Sequence, residues 1–208
     1  AVMEIYNMYR PQLSAKNTLV LVDALHGVAL HAHGINSNTI LRSRLQELGP
    51  MTQMQDPPLL RLENESYQIC LTFLQNLVAD KTKKEEEEEE EEIESLLVNI
   101  CQEVLNFYIE TSSSAKKLQS ESSRASEYRW RIPLGSGKRR ELSARAPLIV
   151  ATLQAMCTLD EASFEKNLKC LFPLLANLIS CEHGSNEVQT ALADMLGLSV
   201  GPVLLQWC

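Results

Sequence analysis

The strongest constraint on this chain is the spacing of its apolar residues. Tyr67, Cys70, Leu71, Leu74, Leu77 and Val78 follow one another at intervals of 3, 1, 3, 3 and 1. Leu96, Leu97, Ile100, Val104 and Phe107 resume the pattern. Such intervals line one face of a 3.6-residue helix, and no segment shows the alternation a half-buried strand requires. Composition agrees, since 45% of the 208 residues are hydrophobic but only 5% are aromatic. Leucine-rich, aromatic-poor chains favour helices over sheets. The expected class is all-α: a succession of antiparallel helices forming a degenerate HEAT/armadillo-like α-solenoid or an irregular helical bundle.

Local signals set the expected boundaries. Residues 1–9 read as a short helix stopped before Pro11, and residues 17–33 as a helix apolar nearly all round, hence an inner one, ended by Gly34. Asn36 or Ser37 would cap a third helix through Ile40, Leu41, Leu45 and Leu48, closed by Gly49-Pro50. Asp56-Pro57 offers a cap and a first-turn proline for the helix that carries the Tyr67 stripe. From Lys138 a helix begins, and Pro147 kinks it or restarts it. Asp160 or Ser163 caps the next helix, which Pro173 should bend, and Ser185 caps a last one at 187–196. Residues 128–133 read as extended, and the apolar tail 200–207 as docked on its neighbours.

Two stretches break the pattern and suggest a domain plan. Residues 85–92 are all Glu, a run of like charge that is either a disordered tether or a solvated helix extension. Residues 111–127 are rich in Ser and Lys, as linkers are. The plan is an N-terminal helical segment over 1–80, an acidic connector over 81–92, and a C-terminal helical segment over 93–208 with a linker at 111–127.

Charge and motifs exclude several chemistries. A net charge of −8 opposes nucleic-acid binding through phosphate neutralisation. Gly135-Ser136-Gly137-Lys138 is no phosphate-binding loop, because Arg139 stands where a Mg²⁺-holding hydroxyl belongs and Ile132 where the first Gly belongs. The glycines read as a turn that feeds cations into a helix. His26, His31 and His33 lie at offsets of five and two, unlike the i, i+4 pair that ligates zinc. Cys181 and His183 supply only two local ligands. Asn64-Glu65-Ser66 matches a glycosylation acceptor but falls inside a predicted helix. The six cysteines, with no Cys-x-x-Cys among them, read as buried reduced thiols. Neither a catalytic residue, a metal site nor a cofactor site is indicated. The longest apolar runs are broken by Lys166, Lys169 and Asn177, short of a membrane span. No signal peptide is visible and the first residue is not Met, as expected of a fragment.

Lys138, Arg139, Arg140 and Arg145 form the densest cationic cluster. The bland reading is a solvated helix face. The functional one is a dock for an anionic membrane, an acidic protein, or the chain's own Glu run.

Four segments resemble a known family. They are residues 51–77 (MTQMQDPPLLRLENESYQICLTFLQNL), 132–154 (IPLGSGKRRELSARAPLIVATLQ), 181–205 (CEHGSNEVQTALADMLGLSVGPVLL), and 21–48 through VDALHGVALHAHGINSNTILRSRLQEL. Together they resemble the extreme C-terminal region of the large brefeldin A-inhibited guanine nucleotide exchange proteins for Arf GTPases, particularly the plant members. The resemblance implies an α-solenoid from a protein whose Sec-seven-type catalytic domain lies far upstream, so no catalytic residue carries over. It implies a non-catalytic scaffold in vesicle traffic, cytoplasmic and peripheral at the trans-Golgi network, with self-association or Golgi protein partners. The alternative is a free-standing helical protein-interaction module, or a truncated gene product, with no exchange role. The Glu run departs from the family in its acidity.

Overall fold

The computed structural model describes residues 2–37, 58–79, 87–124, 136–181, 183 and 185–197. Seven α-helices and one 3-10 turn make up the secondary structure among them, with no strand. The fold is all-α, as the periodicity indicates. The chain divides into two compact units, Ala1–Ile100 and Cys101–Cys208, with the division inside a helix rather than at the Glu run.

In the first unit, α1 (Val2–Tyr9) runs into the 3-10 turn Arg10–Gln12, where Pro11 supplies the fixed backbone angle. Ser14 then caps α2 (Ala15–Ser37), accepting from the Asn17 N–H at 3.3 Å. α2 continues through Gly34, so that glycine does not stop the helix. α3 (Pro58–Ala79) packs against α2. Its stripe faces inward as spaced: Tyr67, Cys70, Leu71 and Leu74 are fully buried, and Leu77 nearly so. Opposite them α2 presents Val22, Ala29 and Ala32, small residues that let the two backbones approach. The Cys70 thiol donates to the Val22 carbonyl at 3.6 Å, and Tyr6 of α1 stacks on Phe73 with ring centroids 3.8 Å apart.

α2 departs from expectation. It is not wrapped on several sides, because Val20, Leu21, Val28 and Leu30 are 39–64% exposed. By length and composition Ala15–Ile35 would also cross a membrane, at a mean hydropathy of 1.3, which a search for uninterrupted apolar runs passes over. Its covered face lies against α3.

α4 (Glu87–Arg124) belongs to both units. Its first turns are six residues of the Glu run, with Glu91 and Glu92 exposed, so this part is helix and not a tether. Ile93, Leu97 and Ile100 bury in the first unit; Cys101, Val104, Leu105 and Tyr108 bury in the second. The helix also runs through 111–124, where composition suggests a linker. There Thr111 returns its hydroxyl to the Phe107 carbonyl at 2.8 Å, a bond that lets such residues stay helical.

In the second unit, α5 (Ser136–Met156) continues unbroken past Pro147, which is exposed. It starts at Ser136, so Gly137 and Lys138 belong to its first turn and not to a loop before it. Leu142, Ala146, Ile149, Leu153 and Met156 form its inward stripe. The Cys101 thiol lies 3.9 Å from the Thr152 carbonyl, tying α4 to α5. Asp160 caps α6 (Glu161–Ile179), accepting from the Ser163 N–H at 2.7 Å, and Ser185 caps α7 (Asn186–Met195). Both caps fall where the sequence indicates. α7 packs against α5. The expectations for Ile40 to Leu48, Gly49-Pro50, Asp56-Pro57, 128–133, Gly135 and the tail 200–207 lie outside the described residues.

Candidate functional site: histidine pairs, cations and two helix surfaces

Three of the four histidines serve packing. His33 Nδ1 lies 3.0 Å from Oε1 of Glu63, a carboxylate with no exposure, and the pair bridges α2 and α3. His26 tilts against the ring of Tyr67, with centroids 6.0 Å apart. His31 points outward and joins neither. His183, beyond the end of α6, stacks on Tyr108 of α4 and shares a 3.1 Å hydrogen bond with its hydroxyl. Among the described residues no three His, Cys, Asp or Glu side chains converge as metal ligands would.

The cysteines divide into two kinds. Cys70 and Cys101 are buried, whereas Cys157 and Cys170 are exposed and Cys181 is half-buried, so a uniform set of buried thiols is not what the fold holds. Burial pushes the Cys70 and Cys101 thiols up to about 12, because a thiolate there would lose its water.

The cationic cluster is split by the helix. Arg140 is exposed in the early turns of α5, while Arg145 is only 4% exposed. Arg145 shares the inward face with Leu142 and Ile149, and its Nη2 lies 3.7 Å from Oε1 of Glu141, one turn earlier. Burial in this pair separates Arg145 from a surface that could meet a large anionic partner. Lys138 and Arg139 occupy the first turn of α5.

Two surfaces escape a reading of motifs. One is the outward face of α2, where Val20, Leu21, Ala24 and Val28 recur at helical spacing and all are exposed. The other is a groove of about 990 Å³ between α5 and α7. Pro147, Val150, Ala151 and Gln154 line one wall; Glu187, Thr190, Ala191 and Asp194 line the other. No local signal marks this groove, because its walls come from helices about thirty residues apart. Only the outward positions left over by two inward stripes hint at it.

Packed helix pairs with exposed apolar outer positions define an all-α helical domain. Comparison with known proteins gives its family. The chain belongs to the BIG2 C-terminal domain family, which matches residues 1–197. It is 54% identical over all 208 residues to brefeldin A-inhibited guanine nucleotide-exchange protein 3 of Arabidopsis thaliana, of which it covers 11%. Exchange proteins 4 and 1 of the same plant are 31% and 29% identical over 203 residues each, 98% of this chain and 12% of theirs. The chain thus spans about a tenth of the length of the curated relatives it matches. No solved structure matches it.

Proposed function

We propose that this chain is a non-catalytic scaffold of an Arf guanine nucleotide exchange factor, acting in Golgi vesicle-mediated transport. Its relatives are named for nucleotide exchange, yet the match covers only 11–12% of them. The observation that carries the reading is the outward face of α2. That helix is anchored through Val22, Ala29 and Ala32 while Val20, Leu21 and Val28 stay in water. Leaving such residues exposed on a rigid helix gives up the favourable free energy of burial, and a protein or a second copy that covers them recovers it.

The chain works from the cytoplasmic side of the trans-Golgi network on this reading. Lys138, Arg139 and Arg140 add peripheral attraction to an anionic membrane, and Arg145 takes no part because it is buried. The test is a fluorescent fusion of the chain in plant cells, beside a trans-Golgi marker. Wild type should coincide with the marker. Replacing Val20, Leu21 and Val28 with Asp, all at exposed positions, should disperse it. Wild-type fluorescence spread through the cytosol, or a variant still at the marker, contradicts the proposal.

A further inference from the structure

The groove between α5 and α7 carries an inference about a different surface. Its floor is small and apolar: Val150, Ala151 and Ala191 are half-buried there, over Leu153 and Met195, which are buried. One wall carries charge of a single sign. Glu187 and Asp194 are both exposed on α7. They stand seven residues apart, two turns along one face, or roughly 10 Å at 1.5 Å per residue. Among the described residues neither forms an ion pair, and no cationic side chain lines the groove.

We propose that this groove docks a basic amphipathic helix of a partner protein. The small floor residues let a helix come to the 8–10 Å axial separation typical of packed helices (about one helix diameter). Its apolar stripe covers Val150, Ala151 and Ala191. Two Lys or Arg residues, themselves two turns apart, meet Glu187 and Asp194. Charge complementarity selects a basic helix and rejects an acidic one, since like charges facing each other across an interface cost affinity. The surface is separate from the outward face of α2, so either reading can fail alone.

Cys157 makes the site observable. It lines the groove and is exposed, whereas the exposed Cys170 of α6 does not line it. The probe is a synthetic helix of about 18 residues, long enough to hold helical structure, with Leu at i, i+3, i+4 and i+7 and Lys elsewhere. A control replaces each Lys with Glu. Alkylation of every cysteine of the intact chain is followed by mass spectrometry. The Leu/Lys helix should slow modification of Cys157 about tenfold, the factor that corresponds to 1.4 kcal/mol of occupancy. Cys170 should be unaffected, and the Leu/Glu helix should protect neither. In the Glu187→Lys, Asp194→Lys variant, and in the milder Glu187→Gln, Asp194→Asn variant, protection should be lost while the far-UV helical signal is retained. Failure of the Leu/Lys helix to protect Cys157, equal slowing at Cys157 and Cys170, equal protection by the acidic helix, or protection that persists in both variants overturns the proposal.

Discussion

At the scale of single residues, polarity is spent on holding helices together. Glu63 has no exposure, yet it meets His33 across the α2–α3 seam, and Tyr108 meets His183 in the same way in the second unit. A buried polar group is tolerated when it is bonded in this fashion. The two buried thiols make a pH prediction. Cys70 and Cys101 hold their protons up to about 12, against an ordinary value of 9.0. Above pH 9 the unfolded chain therefore ionises at these positions while the folded chain does not. The unfolded state then binds fewer protons, and stability falls as pH rises toward 12. Urea unfolding should show a steeper loss between pH 8 and 10.5 in wild type than in a Cys70→Ala, Cys101→Ala variant. Parallel losses would contradict the burial of these thiols. The inward direction of Cys70 is legible in the spacing from Tyr67 to Leu74. The outward direction of Cys170 is not, because it adjoins the buried Leu171 in an apolar run where either position could face in.

Element by element, helices are more legible in the sequence than their ends or their surroundings. Asp160 and Ser185 cap where a polar residue precedes an apolar period. Composition misleads at 111–124 and leaves two readings open at the Glu run, of which the helix extension holds for Glu87–Glu92, because polar residues tolerate a helix once a neighbouring apolar stripe has nucleated it. α2 misleads in the opposite sense: apolar residues on every side suggest full burial, but only a neighbour can cover a face, and α3 covers one. α5 gives the clearest element-scale prediction. Its first turn carries Lys138 and Arg139, with Arg140 just after, at the end where the helix dipole already favours anions. Binding to anionic liposomes at low salt, read by flotation, should weaken about a hundredfold when these three become Ala, at about 1 kcal/mol per cation near the surface. Arg145→Ala serves as a contrast: it should reduce stability, since it strips a buried partner from Glu141, and do so without the liposome effect shared by the other three. Equal flotation of wild type and the triple variant would remove the first turn of α5 from the membrane reading.

For the whole molecule, fold class and family are legible in sequence because both are carried by many residues at once. Helical periodicity extends over most of the chain, and the family match runs over residues 1–197. Surfaces are not legible in that way. The α5–α7 groove needs two helices to be set side by side, and the exposed face of α2 becomes a surface only when its opposite face is seen to be buried. The whole molecule is an all-α member of its family with two exposed helix surfaces, and the proposed scaffold role is the reading to be tested. The direct test is fluorescent-nucleotide release from Arf loaded with labelled GDP, with this chain added in large excess and a catalytic exchange domain as positive control. The account predicts release at the spontaneous rate with the chain alone. Release accelerated by the chain in proportion to its concentration would contradict the claim that it is a scaffold without exchange activity.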